Sequence, residues 1–514
     1  ARKPRTAPHF GVRQTIDNNV IAAFVQRSCA GRGGNSPALL FLRRKTALTD
    51  RPPAAAPASS HPRLQKTLLL WHVVIIGLAY IQPMTLLDTF GMVSRDSLQH
   101  VPASYFVALL AVLLTSLSYG HMIRRYPSSG SAYTYAQKAI HPNVGFMVGW
   151  SSLLDYLLSP MVNILLAKIY LTAIFPEVNH WFWIVGLTAV MVLVNLRGIR
   201  FVANFNGLIV FFQLLIIAIF TFMVWRDLHA GHNALGAIAE HGGNRLWNLS
   251  PFWSAQAEVG ALITGATILC FSFTGFDSLS SLAEETHDTE NTLPKAIFLT
   301  ALISGLIFIA ATYFLQLYFP GDPKQYFEAV DETQPEILFL VGGALFKSVV
   351  LAFAIITVMA SGIAAHAGVS RLMYVMGRDG VIHKRFFGHI SPKSFTPSYN
   401  IVLVGAVALT AGFLNLEYVV ALISFGALTA FSFVNLSVLA EYVWRQQRWH
   451  TVGDVLRYIV TPVLGFMSVG AMWLKVEMTS LTSGLIWGSI GLLYLGIITG
   501  GFRSAAPQYR EDIE

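Results

Sequence analysis

The stretch GLAYIQPMT, residues 77–85, interrupts an apolar run with a proline and polar groups. A second stretch, SFTGFDS at residues 272–278, interrupts another run in a comparable place with a glycine. A broken helix in a bilayer leaves backbone groups that lipid cannot satisfy, so breaks belong where the backbone lines a cavity. The two interruptions therefore predict a site between two broken helices, although Pro83 alone could merely kink its helix.

The composition supports a membrane protein. Of the 514 residues, 54% are hydrophobic and 12% are charged, against about 25% charged in soluble domains, which excludes a soluble enzyme. A bilayer core takes about 20 apolar residues per helix. Apolar runs of about this length, bounded by charges or turn residues, predict twelve spans. They lie at about 71–93, 104–122, 144–175, 181–196, 205–225, 258–283, 296–319, 347–370, 398–414, 418–440, 457–474 and 482–500.

The two breaks lie five spans apart, which predicts an all-α fold with a five-plus-five inverted repeat. The repeats would cover residues 71–225 and 258–440, with two extra helices at 457–500. The spans belong to a membrane domain at residues 63–514, preceded by a basic tail at residues 1–62 that we predict to be disordered.

Charge is unevenly distributed along the chain. Residues 1–62 carry ten basic and two acidic side chains, which accounts for the whole net charge of +8, so the basic balance gives no reason to expect nucleic acid binding. With the N-terminus inside, the inner short loops hold thirteen basic residues and the outer loops six. This asymmetry predicts that both termini face the cytoplasm. A disulfide between Cys29, in the tail, and Cys270, in a span, is implausible.

Several longer segments carry a family resemblance. They are residues 77–91, 127–138 (a loop), 145–156, 284–286, 293–297, 371–380 and 435–437. Together they resemble the amino acid–polyamine–organocation superfamily and, within it, the bacterial putrescine importers of the low-affinity type. The resemblance runs from about residue 64 to the C-terminus. It implies a LeuT-like fold in the inner membrane and secondary uptake of a diamine, with protons as the coupling ion.

Ionisable groups inside spans cost about 2.5–3.5 kcal/mol each at the bilayer centre unless they face a cavity. Asp155 lies on a polar stripe near the middle of the third span, and Asp277 follows the Gly275 break. A diamine has two ammonium groups, which an acid at each end of a pocket would neutralise. Asp155 could instead bridge helices, and Asp277 could be a helix-end contact or a gate. Asp88 is a weaker candidate near the outer vestibule.

Aromatic side chains are candidates for the wall or gate of that pocket, because an ammonium group rests well on a ring face. They are Tyr156, Phe271 and Phe276, of which Phe271 matches the position where superfamily relatives cap the substrate. Each could equally be an ordinary packed aromatic. At the first break Pro83 has no N–H to offer a carboxylate, which favours a substrate without one, although Thr85 and the Gly275 break could still bind a carboxylate.

Other charged positions have plainer explanations. Glu284 and Glu285, at the end of the sixth span, could serve gating or coupling, or could pair with Lys295 or Arg378. Lys168 is predicted to extend outwards to the interface. His366 is expected to be a packed histidine on a helix of small residues.

Motifs for other chemistry are missing. The sequence has no HExxH pattern and no P-loop, and its two cysteines cannot build a zinc site, so we expect no metal, no cofactor and no ATP-driven or enzymatic step. The alternatives to import are exchange of an amino acid for a polyamine and, in a different class, a polyamine sensor that signals through the tail. The sequence leaves sodium coupling and the oligomeric state open.

Overall fold

The computed structural model describes residues 68–128, 130–197, 206–237, 246–378, 380–391, 394 and 396–507. The chain divides into two units, residues 1–63 and residues 64–514. The predicted disordered tail and Cys29 lie outside the described residues. Cys270 is buried and has no disulfide partner within the described part of the chain.

The described chain is mostly helical. Its longer helices lie in twelve successive segments, which we number as spans 1 to 12. The spans are Leu70–Ile81 with Phe90–Asp96, Val101–Arg125, Pro142–Ile174, His180–Arg197, Asn206–His229, Val259–Phe273 with Ser278–Glu284, Thr289–Tyr318, Gln334–Arg378, Ser398–Ala408, Leu416–Val438, Thr461–Trp473 and Met478–Ile498. Shorter elements are the helices Ser131–Ala139, Lys384–Phe387 and Val452–Val455, the 3-10 turns Pro83–Leu86, Pro323–Gln325 and Leu409–Gly412, the π-helical turns Leu439–Arg445 and Leu456–Val460, and two antiparallel strands, His232–Asn233 and Gly236–Ala237.

Each predicted run overlaps one of these spans. By length and apolar character, ten helices of the described ranges can cross a bilayer, or eleven if the bent pair of span 1 counts as one. Span 9, even when extended to Ser398–Gly412, is shorter than the helices that can cross a bilayer by this criterion.

Two boundaries differ from the prediction. The helix Gln334–Arg378 of span 8 is kinked at Gly343, where φ is 73°, so a further helical segment from Gln334 precedes the run predicted at about 347–370. The stretch predicted as a loop at residues 127–138 contains the helix Ser131–Ala139.

The break in span 1 follows from its sequence. Gln82 adopts a left-handed conformation, with φ 51°, and ends the first helix. Pro83 then starts a 3-10 turn, where its missing N–H needs no helical partner. The bend of 64° lies further along, between the segment Leu70–Leu86 and the helix Phe90–Asp96. The predicted break is therefore present in the structure.

The break in span 6 faces the break in span 1. Gly275 has a φ of 114°, which a residue with a side chain rarely adopts. A Cβ at this glycine would lie 2.9 Å from the Cβ of Tyr80, so the two broken segments are in direct contact. After the break, span 6 continues as the 3-10 helix Ser278–Glu284.

Span 3 is central to the packing. It contacts spans 8 and 10 extensively, and small residues allow the close approach. A Cβ at Gly362 of span 8 would lie 2.9 Å from Asn163, and one at Gly426 of span 10 would lie 2.8 Å from Asp155. His366 of span 8 is buried, with a ring nitrogen 2.9 Å from the carbonyl oxygen of Ile401, as expected of a packed histidine.

Candidate functional site

Asp155 is buried in span 3, with 5% of its surface exposed. Its Oδ1 atom has no hydrogen-bond partner among the described residues. The hydroxyl of Ser159, one turn further along span 3, donates to the backbone oxygen of Asp155 at 2.9 Å. A buried carboxylate with an unpaired oxygen is costly, so this position suits a site that a cation completes.

Asp277 lies near Asp155 across the bundle. It is also buried, and one of its oxygens accepts the backbone N–H of Gly275 at 3.3 Å. It lies close enough to Asp155 for the two carboxyl groups to interact electrostatically. The structure thus brings together the two acids that the sequence singled out.

Tyrosines surround this acid pair. Tyr156 lies close enough to Asp155 and Asp277 to interact electrostatically with both, and it is next to Ser278 of span 6. Tyr119 of span 2 lies near Asp277 and contacts Tyr135 edge-on, with ring centroids 6.1 Å apart. We call Asp155, Asp277, Tyr156, Tyr119 and Tyr135 the paired-acid cluster. Sequence reasoning missed Tyr119 and Tyr135, although Tyr135 lies within a segment quoted for the family resemblance.

A second set of groups surrounds the break of span 1. The Tyr170 hydroxyl lies 2.9 Å from both carboxylate oxygens of Asp88, which is 2% exposed. These groups border a small cavity, which we call the Asp88 cavity. It is lined by Gln82, Met84, Thr85, Asp88, Tyr170, Ala354, Thr357 and Val358. The sequence pointed to Thr85 and Asp88 but not to Tyr170.

The two sets of groups lie at different depths. Asp155 and Tyr170 are 15 residues apart on one continuous helix, which corresponds to about 22 Å along its axis. Asn163 lies between them and accepts the amide N–H of Gln82 at 3.0 Å, which marks the level of the span 1 break. The assignment of Asp155 and Asp277 to the pocket, with Asp88 nearer the outer vestibule, stays a prediction.

The predicted wall residues differ in exposure. Phe276 is fully buried and packs against Tyr119 and Phe431, with ring centroids 5.8 and 5.2 Å away. Phe271 is half-buried against the core. Phe276 thus packs against Tyr119, which lies near Asp277, whereas part of the Phe271 surface remains accessible.

Glu285 lies where span 6 meets the start of the described chain. Its backbone oxygen accepts the N–H of Leu68 at 3.1 Å, and the oxygen of Leu68 accepts the N–H of His287 at 2.9 Å. This two-bond bridge ties the beginning of span 1 to the end of span 6. The side chain of Glu284 lies outside the described part of the structure, so its pairing with Lys295 or Arg378 stays a prediction.

Ion pairs close both ends of the bundle. At one end, Arg95 contacts Asp96, Asp331 and Glu417 at 2.7, 3.3 and 2.5 Å. At the other, the buried Glu441 accepts from Arg125 at 2.7 Å and from Tyr126 at 2.8 Å. Sequence reasoning had no signal for the pairs of Arg95 with Asp331 and Glu417, or of Arg125 with Glu441, because each joins residues more than 200 positions apart.

Lys168 extends from span 3 to the loop before span 8, and its predicted course to the membrane interface stays a prediction. Its Nζ atom lies 3.8 Å from Glu332. Burial raises the pKa of Glu332 above its ordinary value, and the positive charge of Lys168 only partly offsets that effect.

Nearly all of residues 64–514 match a known protein family. A family model described as amino acid permease matches residues 72–496. The chain belongs to the amino acid permease family. Its many apolar helices and this family make it a multi-pass membrane protein with a LeuT-like fold.

Several curated members of the family are similar to this permease. The low-affinity putrescine importer PlaP of Escherichia coli (strain K12) is 54% identical over 455 residues, which cover 88% of this chain and 98% of the importer. A probable low-affinity putrescine importer of Klebsiella pneumoniae is 51% identical over 197 residues, 38% of this chain and 99% of that protein. The methylthioribose transporter of Bacillus subtilis (strain 168) is 23% identical over 466 residues, 85% of this chain and 94% of that protein.

Proposed function

We propose that this permease imports putrescine or a similar short diamine across the inner (plasma) membrane, as a secondary active transporter and not as an enzyme. The observation that carries the proposal is the pair of buried acids, Asp155 and Asp277, within a shell of tyrosines. A diamine brings two ammonium groups and no carboxylate, so two acids neutralise its charges. The Escherichia coli relative named a putrescine importer supports the same substrate.

The residues around Asp155 and Asp277 also favour a diamine as the substrate. Tyr156 borders both carboxylates, and its ring offers a face on which an ammonium group gains about 0.5–2 kcal/mol. Phe271 is the candidate cap, because it is the half-buried aromatic before the Gly275 break. Pro83 provides no N–H at the first break, which favours a substrate without a carboxylate. Gly275 holds Asp277 through its own N–H.

Transport would proceed by alternating access, with both termini in the cytoplasm according to the basic residues of the short loops. Spans 1, 2, 6 and 7 would rock against the other spans. The contacts at Arg95 join span 1 to span 10, and the pair of Arg125 and Glu441 joins span 2 to the end of span 10. Because these pairs lie at opposite ends of the bundle, they would open in turn.

Protons are the proposed coupling ion. A diamine neutralises two carboxylates, so a co-transported proton needs a further titratable group. Glu284 and Glu285, at the end of span 6, are the proposed coupling or gating residues. The bridge from Leu68 to Glu285 and His287 links that end of span 6 to span 1, which would let protonation there influence the broken helices.

The test is the flux of radiolabelled putrescine into proteoliposomes that contain the purified full-length protein. The proposal expects uptake into empty vesicles when the inside is alkaline, and loss of that uptake with a protonophore. Uptake that needs internal amino acid or polyamine would mean exchange. Uptake that follows a sodium gradient and ignores the proton gradient would contradict proton coupling.

Variants connect the flux to the acids. Asp155→Asn should abolish putrescine uptake while the protein still inserts into the membrane, because the amide cannot neutralise an ammonium group. The matched control is Asp288→Asn, since Asp288 is exposed and has a left-handed φ of 48° that asparagine tolerates. Near-normal uptake by the Asp155 variant would remove that residue from the site.

A further inference from the structure

The segment between spans 10 and 11 exposes large apolar side chains. It covers residues 439–460 and contains two π-helical turns. Trp444 is 71% exposed and Leu456 is 53% exposed, and Trp449 is exposed as well. Tryptophan at the end of a membrane span is typical of the interface between lipid headgroups and hydrocarbon. This segment therefore presents apolar surface at the point where two spans end.

The apolar surface continues along span 11. Leu456, Val460, Leu464 and Met467 are all exposed, and they follow one another at intervals of three or four residues. Side chains at this spacing lie along one face of a helix. A molecule that covers Leu456 can therefore extend along the span over a continuous apolar face.

Two arginines lie beside an aromatic stack in the same segment. The rings of Tyr442 and Tyr458 are stacked with centroids 4.3 Å apart, and the His121 ring of span 2 lies edge-on to Tyr458 at 5.1 Å. Arg448 lies close enough to Tyr442 to interact electrostatically with it. Arg457 stands in the same relation to His121. The stack thus holds the two arginines, from different turns, on the same part of the surface.

Carboxylates do not balance the positive charge of this region. Residues 439–460 and the last turn of span 2 together contain five arginines and two acids. Glu441 forms ion pairs with two of these arginines, at 2.7 and 3.7 Å. Arg448 and Arg457 are exposed, and neither has an ion-pair partner within 4 Å among the described residues. Their charges are therefore available to an anion from outside the protein.

We propose that this surface binds the headgroup of an anionic phospholipid, and we call it the arginine–tryptophan surface. Its members are Arg448, Arg457, Trp444, Trp449 and Leu456. A guanidinium group donates two parallel hydrogen bonds to a phosphate, which suits a phosphodiester headgroup. The acyl chains would lie along the apolar face of span 11. This inference goes beyond the proposed function and does not depend on the identity of the transported substrate.

The combination of charge and apolar surface favours a lipid over a free phosphate. A soluble anion would use the arginines alone and would leave Trp444 and Leu456 uncovered. The segment also lies on the side that the basic residues of the short loops predict to be cytoplasmic, where bilayers present anionic lipids. A phospholipid satisfies both halves of the surface at once.

The experiment titrates the purified full-length protein in detergent with dioleoyl phosphatidylglycerol or dioleoyl phosphatidylcholine. Native mass spectrometry gives the dissociation constant of the first bound lipid. The proposal expects phosphatidylglycerol to bind at least about tenfold more tightly, and expects Arg448→Gln/Arg457→Gln to reduce that preference to about threefold or less. Equal affinity of the native protein for the two lipids would overturn the proposal, as would an unchanged preference in the double variant.

The matched control is Lys384→Gln/Arg385→Gln. It removes the same charge from two exposed positions between spans 8 and 9, on the same predicted side of the membrane. This variant should keep the native preference for phosphatidylglycerol. An equal loss of preference in both double variants would mean that net charge selects the lipid, and would overturn the proposal.

The apolar half of the surface needs its own test. Trp444→Ala/Leu456→Ala should weaken phosphatidylglycerol binding several-fold, because apolar contact with the acyl chains is lost. Glycerophosphoglycerol, the soluble headgroup of this lipid, should not displace it at an equal concentration. Displacement by the soluble headgroup, or unchanged lipid binding in the alanine variant, would indicate a site for a free anion and would overturn the proposal.

Discussion

Gly426 of span 10 leaves room for Asp155 of span 3. A Cβ at Gly426 would lie 2.8 Å from the Asp155 Cβ and 3.1 Å from its backbone nitrogen. Real Cβ atoms do not approach backbone and side chains so closely, so any side chain here must push the two spans apart. The position of one acid of the paired-acid cluster therefore depends on a glycine 271 residues later in the sequence.

Gly426→Ala should reduce putrescine uptake by about tenfold, because overpacking of about 1–3 kcal/mol shifts Asp155 away from Asp277. The measurement is initial uptake in proteoliposomes at matched protein content. Gly488→Ala is the control, since a Cβ there meets no atom of the described chain within 4 Å. Equal uptake by both variants would show that the contact does not position the acid.

Arg125→Gln should lower the melting temperature of the purified protein. Glu441 is buried, with 2% of its side chain exposed, and would lose its closest cationic partner. We expect a loss of about 2 kcal/mol, less than for a fully buried pair, because Tyr126 and Gln446 still donate to the carboxylate. The neighbouring exposed Arg124→Gln should have little effect, and a similar shift in both variants would contradict a specific role of the pair.

Arg95→Gln should open the end of the bundle nearest the Asp88 cavity. Without the guanidinium, Asp96, Asp331 and Glu417 are left as neighbouring like charges that repel one another. The readout is the rate at which a water-soluble thiol reagent labels Thr357→Cys, with Cys29 and Cys270 replaced by serine. We expect faster labelling. The control is Arg226→Gln, which breaks an exposed pair with Asp227.

Stability should depend on pH through Glu332. Its raised pKa means that the folded protein holds a proton which the unfolded chain has already released. Stability from this group is therefore lost as pH rises from about 4.3, the ordinary glutamate value, through the raised folded pKa. The melting temperature of the native protein should fall relative to Glu332→Gln over that window. The exposed Glu177→Gln should follow the native curve, and parallel curves for all three would contradict the prediction.

Tyr156→Ala should raise the apparent Michaelis constant for putrescine about tenfold with a smaller change in maximal rate, because the ring face beside both acids is lost. Tyr156→Phe keeps the ring and should stay within about threefold of the native constant. The measurement is the concentration dependence of uptake. An unchanged constant in the alanine variant would argue against a wall role.

Much of the fold follows from local sequence. Apolar runs of bilayer length predict the helices, and Pro83 and Gly275 predict the two breaks, because backbone hydrogen bonding in lipid depends on a residue and its near neighbours. Span 8 shows the limit of this reasoning. Its sequence predicts the run that follows the kink at Gly343 but not the helical segment from Gln334 that precedes the kink, because that segment alone is shorter than a bilayer-spanning run.

By itself, the sequence determined that this is a helical membrane protein with two interrupted spans and a few acids inside them. Only the tertiary structure decided which acids act together. It brought Asp277 to Asp155, and it joined Asp88 to Tyr170, 82 residues away, at another depth. The physical reason is that helix periodicity determines which face a residue occupies, whereas the tilt and axial position of each span depend on close packing between distant residues such as Gly426 and Asp155.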